Sequence, residues 1–199
     1  MVIGPGTQNQ ARMVEGESDE DLMALVVAGD NAAFRRLMAR HMGRAIRVAE
    51  TVVRGSIEAD DIAQEAFIRI WRNAAAFDPG VARFTTWMHR IVVNLAIDRK
   101  RRNGSGHAPV PEDLADARAS ALDTLVATER QAALQCALRE LPDRQRAAIA
   151  LFHFEGLSGR DSALAMNLSE SAFESLLTRA RSALKQRVMT TLDETGGRR

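Results

Sequence analysis

Four consecutive cations, Arg99-Lys100-Arg101-Arg102, close a stretch that also carries Phe84, Thr85, Thr86, Trp87, Arg90 and Asn94. Aromatic faces, hydroxyls, an amide and a basic exit are the parts with which proteins hold bases that have left a duplex. Neighbouring cations repel one another unless an anion lies near, which favours a nucleic-acid track over a charge cluster that merely complements a helix C-terminus. The spacing of Trp87 to Ile91 is that of a core stripe, so packing and base-stacking are equal readings of its ring. Further along, Ser171, Ala172, Glu174, Ser175, Thr178 and Arg179 point away from the apolar positions Phe173, Leu176, Leu177 and Ala180. Small and hydroxyl side chains allow a helix to approach a major groove, and Arg reaches phosphate or guanine. Glu174 repels phosphate but can accept a hydrogen bond from cytosine N4. A third group, Asp61, Gln64, Glu65 and Arg72, forms a polar stripe opposite an apolar one. It reads either as a solvated face or as a dock for a partner presenting Arg and Lys.

Nucleophile–base pairs and phosphate loops do not occur, and His41, His89, His107, His153 and Cys136 lack metal-ligand spacing. The expectation is a non-enzyme without catalytic residues, cofactor or metal. The 199 residues, 46% hydrophobic and 27% charged, suit a soluble protein of one or two small domains. The absence of Tyr, with abundant Ala, Leu and Arg, leans towards helix. A net charge of +1 gives no general polycation signal, so any nucleic acid must be held by local clusters. From Asp143 to Arg187, seven basic side chains face five acidic ones, a net of +2. That is thin for binding DNA unaided, because such affinity comes largely from phosphate neutralisation. The single Cys136 excludes an internal disulfide, and its apolar helical position predicts a buried, inert thiol. With neither a signal-peptide core nor an apolar run near the ~20 residues of a membrane span, direct membrane insertion is not expected, and the predicted location is cytoplasmic.

The elements that must position these groups read as helices almost throughout. Residues 1–17 form a Gly/Gln-rich tail, and Ser18-Asp19-Glu20-Asp21 is a capping box opening the first domain, 18–102. Within it, Ile62, Ala63, Ala66, Phe67, Ile70 and Trp71 give one broad apolar helical face. Phe77-Asp78-Pro79-Gly80 predicts a turn. Residues 103–123, with Gly104, Gly106, Pro109 and Pro111, form the expected linker. The second domain, 124–190, holds a helix ending at Leu141-Pro142, a helix from Pro142 to Gly156 and a short helix capped by Ser158. A turn at Asn167 and a long helix capped by Ser169 complete it. Short helix, tight turn and capped longer helix make a helix-turn-helix. A flexible tail is expected from 191 to 199. The fold class is all-α, two small helical domains on a flexible linker.

These residues carry a family resemblance. Asp61-Ile-Ala-Gln-Glu-Ala-Phe-Ile-Arg-Ile-Trp71 closely resembles the second conserved region of sigma-70 family RNA polymerase sigma factors. Phe84 to Asp98 is similar to the adjoining promoter-melting part, and Leu141-Pro-Asp-Arg-Gln-Arg146, Leu157-Ser158 and Leu177-Thr-Arg-Ala-Arg181 to the fourth region. The short linker, with no central third domain, points to the extracytoplasmic-function (ECF) group. The resemblance implies a specificity subunit that docks Asp61, Gln64, Glu65 and Arg72 on core RNA polymerase. It implies that promoter DNA is read at the minus-ten element by the Phe84–Arg102 set and at the minus-thirty-five element by the Ser171–Arg179 set. It also implies an anti-sigma factor as partner, in a stress or envelope response. The chain departs from the family at Asn167 and Ser171, where Gly is common, and at Glu174 and Leu176, where Lys or Arg is common. Two rivals are a helix-turn-helix regulator acting alone and a sigma mimic that titrates an anti-sigma factor. The first leaves the Asp61–Trp71 block unused, and the second has little use for Arg99–Arg102.

Overall fold

A computed structural model describes residues 17–103 and 123–196. The expected N-terminal tail up to residue 16, the linker from 104 to 122, and 197–199 lie outside the described residues. Among the described residues every regular element is helical, and none of the helices is long and apolar enough to cross a membrane. The chain is all-α, with its helices in two groups.

The first group holds α1 (Asp19–Val27), α2 (Asn31–Val53), α3 (Ser56–Arg72) and α4 (Phe84–Asn103). Ser18 and Asp21 close a reciprocal capping box: Ser18 Oγ accepts from Asp21 N at 3.0 Å, and Asp21 Oδ2 accepts from Ser18 N at 3.2 Å. Gly29, at φ 91°, turns the chain, and Asp30 caps α2 by accepting from Ala32 N and Ala33 N. Helix α2 packs against α1, α3 and α4 and is the spine of the group. Its buried face runs through Ala33, Leu37, Ala45, Val48, Ala49 and Val52 at helical spacing. Buried His41 lies on the same face and meets Asp19 at 2.7 Å. The α3 face, Ile62, Ala63, Ala66, Phe67 and Ile70, is buried as its period predicts, each large side chain being worth about 1.5–3 kcal/mol.

The second group holds α5 (Asp123–Glu140), α6 (Asp143–Ile149), α7 (Gly159–Ala165) and α8 (Glu170–Gly196). Pro142 precedes the first residue of α6 instead of occupying it. The regular helix expected to run on to Gly156 instead widens over Ala150–Phe154 into a π-helical turn, where Glu155 N donates to Ala150 O at 2.9 Å. Ser158 Oγ accepts from Asp161 N, and Ser169 Oγ from Ala172 N, so both expected caps form. Between them Asn167 takes a left-handed φ of 53°. Helix α8 continues to Gly196, into the stretch expected as a tail from 191.

Cys136 departs from the expectation of a buried thiol. It is exposed, because α5 turns Ala133, Ala137 and Leu138 inward and leaves position 136 outside.

Arg146, 1% exposed, joins the two groups. Its Nε donates to Thr51 O at 3.0 Å and its Nη2 to Val52 O at 2.7 Å, in the last turn of α2. Its Nη1 reaches Leu141 O and Arg139 O at the end of α5, and Asp143 supplies a carboxylate. Burial first, and Arg54 second, lower its pKa from the usual arginine value, with Asp143 opposing. The last carbonyls of a helix have no partner within it and carry the negative end of its dipole. Two such ends converge on one guanidinium. Replacing Arg146 with Ala would take its donors from both helix ends, leaving Leu141 O only Arg54 Nη2 at 3.4 Å, at an expected cost of about 3–5 kcal/mol in urea unfolding. A cost under ~1 kcal/mol would mean that water replaces the guanidinium.

Candidate nucleic-acid and protein interfaces

On the outer face of α3, Asp61, Gln64 and Arg72 are exposed, and Glu65 is partly covered by Arg69, whose Nε donates to it at 2.8 Å. The C-terminal end of α4 runs beside this stripe. Together they border an open groove of about 340 Å³, with Asp61 and Glu65 on one wall and Arg99 and Arg102 on the other. The basic run is therefore divided. Arg99 and Arg102 contribute to the groove, while exposed Arg101 pairs with Asp98 at 3.1 Å and Lys100 is half-buried. Apolar Ile68, exposed in the same groove, was not singled out from sequence, although it falls off the apolar face of α3.

The expected single-strand surface on α4 is only partly open. Phe84 is fully buried, its ring centroid 6.2 Å from Phe77 and 5.3 Å from His41, so it is a core residue and presents no face to a base. Trp87 is half-buried and tilted against Phe77 at 5.4 Å, so part of its ring packs in the core and part stays accessible. Thr85 is half-buried, and Asn94 is exposed. Thr86, 2% exposed, donates to Asp161 of α7 at 3.3 Å, and Arg90 Nη2 reaches Asn167 Oδ1 at 3.4 Å. The second group thus lies over one edge of α4.

On α8 the division matches the periodicity. Ser171, Ala172, Glu174, Ser175, Thr178 and Arg179 are exposed, and Phe173, Leu176, Leu177 and Ala180 are buried. Arg179 Nε donates to Ser175 O at 3.2 Å, which holds its side chain along the helix. Two residues on, Arg181 lies 5.0 Å from the Phe152 ring centroid and donates to His153 Nε2 at 3.1 Å. Partial desolvation, then Arg181, lowers the His153 pKa, which suits a neutral acceptor.

A second cross-contact was illegible in sequence. The Glu155 side chain, 2% exposed, meets Arg44 Nε at 3.1 Å, His89 Nε2 at 3.6 Å and Arg47 Nη2 at 3.7 Å. Burial first, then Arg44, push the His89 imidazole down to about 4, so at neutral pH the two arginines carry the charge that faces Glu155.

With this geometry in place, known sequences can be compared. Sigma-70 region 2 matches residues 37–106, and sigma-70 region 4 matches residues 131–184. The ECF RNA polymerase sigma factor SigM of Mycobacterium tuberculosis is 38% identical over 171 residues, covering 84% of this chain and 83% of its own. The chain belongs to the ECF sigma factors. RNA polymerase sigma-H factor of Pseudomonas aeruginosa is 30% identical, the match covering 92% of this sigma factor and 100% of that one. Among solved structures, CnrH in complex with the cytosolic domain of CnrY matches with a TM-score of 0.66 at 26% identity, over 87% of this chain and 99% of that one. The sigma factor RpoE in complex with the anti-sigma factor NepR from Bartonella quintana shares the fold at a TM-score of 0.64 and 21% identity, over 78% and 96%.

In this sigma factor, the region 2 match takes in α3, α4 and most of α2, and the region 4 match runs from α5 into α8. The burial pattern separates framework from surface within the minus-ten set. Phe84→Ala should cost about 3–5 kcal/mol in denaturant unfolding, as for a large aromatic removed from a core. Asn94→Ala, on the exposed side of the same helix, should stay within about 0.5 kcal/mol. Equal costs would mean that Phe84 is not the core residue its burial indicates.

Proposed function

We propose that this sigma factor binds core RNA polymerase through the outer face of α3 and brings two DNA-reading surfaces to a promoter, in the cytoplasm and as a non-catalytic specificity subunit. The observation that carries the reading is the ordered pair of region 2 and region 4 matches on one chain. Their candidate contact surfaces, α3 and α8, face solvent and are not used for core packing. Asp61, Gln64, Glu65 and Arg72 form the dock, with Arg99 and Arg102 bordering the same groove. Trp87, Thr85, Arg90, Asn94, Lys100 and Arg101 serve the separated strand at the minus-ten element, and Thr86 joins them once uncovered. Buried Phe84 supports Trp87 through Phe77 and drops out of the contact set. Ser171, Ala172, Glu174, Ser175, Thr178 and Arg179 read the minus-thirty-five element as duplex, in a major groove ~12 Å wide. An anti-sigma factor restrains the protein in a stress or envelope response, in keeping with the solved relative that carries one, RpoE with NepR.

Reversing charge on the dock should separate binding from folding. Asp61→Arg with Glu65→Arg replaces exposed or half-exposed side chains and should leave circular dichroism and the unfolding midpoint nearly unchanged. Capture of core polymerase should fall about tenfold or more, and undiminished capture would return this face to the solvent.

The division of labour between α4 and α8 is tested by template topology. Arg179→Ala should weaken promoter binding roughly 5- to 100-fold, the ~1–3 kcal/mol of a lost base or phosphate contact, even on DNA already opened at the start site. Asn94→Ala should impair opening, and a pre-melted bubble should largely restore its transcription. A bubble that restored Arg179→Ala equally, or restored neither variant, would overturn this assignment.

A further inference from the structure

We infer that Glu20, in the first turn of α1, is a positioning residue for the minus-ten surface: its carboxylate caps α4 across the fold and sets the first turn, which carries Trp87. The inference rests on the function proposed above. Glu20 lies outside the residues that match region 2, which begin at 37.

A helix leaves its first backbone N–H groups without partners inside it, and they are commonly met by a Ser, Thr, Asp or Asn just before the helix. Helices α1, α2, α7 and α8 obey this through Ser18, Asp30, Ser158 and Ser169. Helix α4 does not. Trp87 N donates to Arg83 O at 3.1 Å, the first bond of the helix, so Arg83 holds the capping position. Its side chain has donors and no acceptor. The acceptor comes instead from 64 residues away, where Glu20 Oε1 accepts from Phe84 N at 3.1 Å. The neighbouring acids of α1 have other partners. Asp19 meets Arg40 and His41 of α2, and Asp21 closes the capping box with Ser18. Half-buried Glu20 reaches α4. Its negative charge thereby lies at the positive ends of two helices, its own and α4, where the peptide dipoles favour it.

The cap holds the turn that serves the separated strand. Phe84 is fully buried with Phe77 at 6.2 Å, and Phe77 in turn meets Trp87 at 5.4 Å. The loop entering this turn is exposed from Asp78 to Val81. It is closed on itself by Val81 N donating to Asp78 O at 3.1 Å and Gly80 N to Asp78 Oδ1 at 2.8 Å. Glu20 fixes the point at which that loop becomes helix. A platform for an unstacked base binds best when its ring is already in place, since ordering it on binding lowers affinity. Without Glu20 the first turn of α4 frays and Trp87 loses its fixed position. The cap stands at the opposite end of α4 from Arg99 and Arg102, which border the α3 groove, so docking on core polymerase is preserved.

The test combines variants at Glu20 with variants at exposed Arg83, in the full-length chain with core polymerase. Glu20→Ala should leave capture of core polymerase within about twofold of wild type. Its transcripts from a duplex promoter should fall about three- to tenfold, as a lost helix cap would dictate, and a pre-melted bubble should largely restore them. Glu20→Gln, which keeps an acceptor oxygen, should retain most of the duplex activity. Adding Arg83→Ser to Glu20→Ala supplies a local cap and should recover duplex transcription. Arg83→Ala removes the same cation but caps poorly, and it should not. Acrylamide quenching of Trp87 is read in a Trp71→Phe background, which leaves it the sole tryptophan. Quenching should rise in Glu20→Ala and fall back with Arg83→Ser but not with Arg83→Ala. Wild-type duplex transcription by Glu20→Ala, equal losses on duplex and bubble, a parallel loss of core capture, or equal recovery by both Arg83 variants would each overturn the inference. If the wild-type chain gives no transcript with core polymerase, the proposed function fails instead, and the Trp87 quenching decides whether Glu20 sets the first turn of α4.

Discussion

The guanidinium of Arg146 is the constraint on which the two-part architecture depends. A buried cation is tolerated only where its charge and donors are met, and here two helix C-termini meet them. Thr51 O and Val52 O come from α2, and Arg139 O and Leu141 O come from the end of α5. The last carbonyls of a helix have no partner within it, and without Arg146 Leu141 O would keep only Arg54 Nη2 at 3.4 Å. Arg146 therefore solves the termination of two helices at once, and in doing so it fixes the second group against the spine of the first. Hydrophobic burial holds each group together without regard to direction. The guanidinium adds direction, because its planar fork fits one arrangement of acceptors.

From that anchor the rest of the contact follows along the chain. Helix α6 leaves Arg146 and widens into the π turn, after which Glu155 enters the space between Arg44, Arg47 and His89. A few residues on, Ser158 caps α7, and Asp161 reaches Thr86. The residues that build the helix-turn-helix are in this way also the residues that meet α4. Helix α8 turns its small, hydroxyl-rich face outward, away from Phe173, Leu176 and Leu177.

Elements set by local rules were legible in the sequence. The capping box at Ser18, the caps at Ser158 and Ser169 and the left-handed turn at Asn167 depend on residues within a few positions of one another. The buried stripes of α3 and α8 follow from a 3.6-residue period. What escaped was set by packing at long range. Cys136 lies one position from Ala137 in an apolar stretch, and only the docking of α5 on α8 decides which of them faces in. Phe84 had the chemistry of a stacking platform, yet it opens α4 on the side turned to Phe77 and His41. Glu155 carried no local signal, since its partners Arg44 and Arg47 stand more than a hundred residues earlier. The π turn has no local signature in Ala150–Phe154, which reads as ordinary apolar helix.

The central claim is that these two helical groups act together as a promoter-reading subunit dependent on core RNA polymerase. It is tested most directly by reconstituted run-off transcription on a promoter taken from the native host's regulon. Specific transcripts are predicted only when the chain and core polymerase are both present, and the chain alone should give no stable gel shift on the same DNA. Tight, sequence-specific binding by the chain alone, with no transcript on adding core polymerase, would contradict the account.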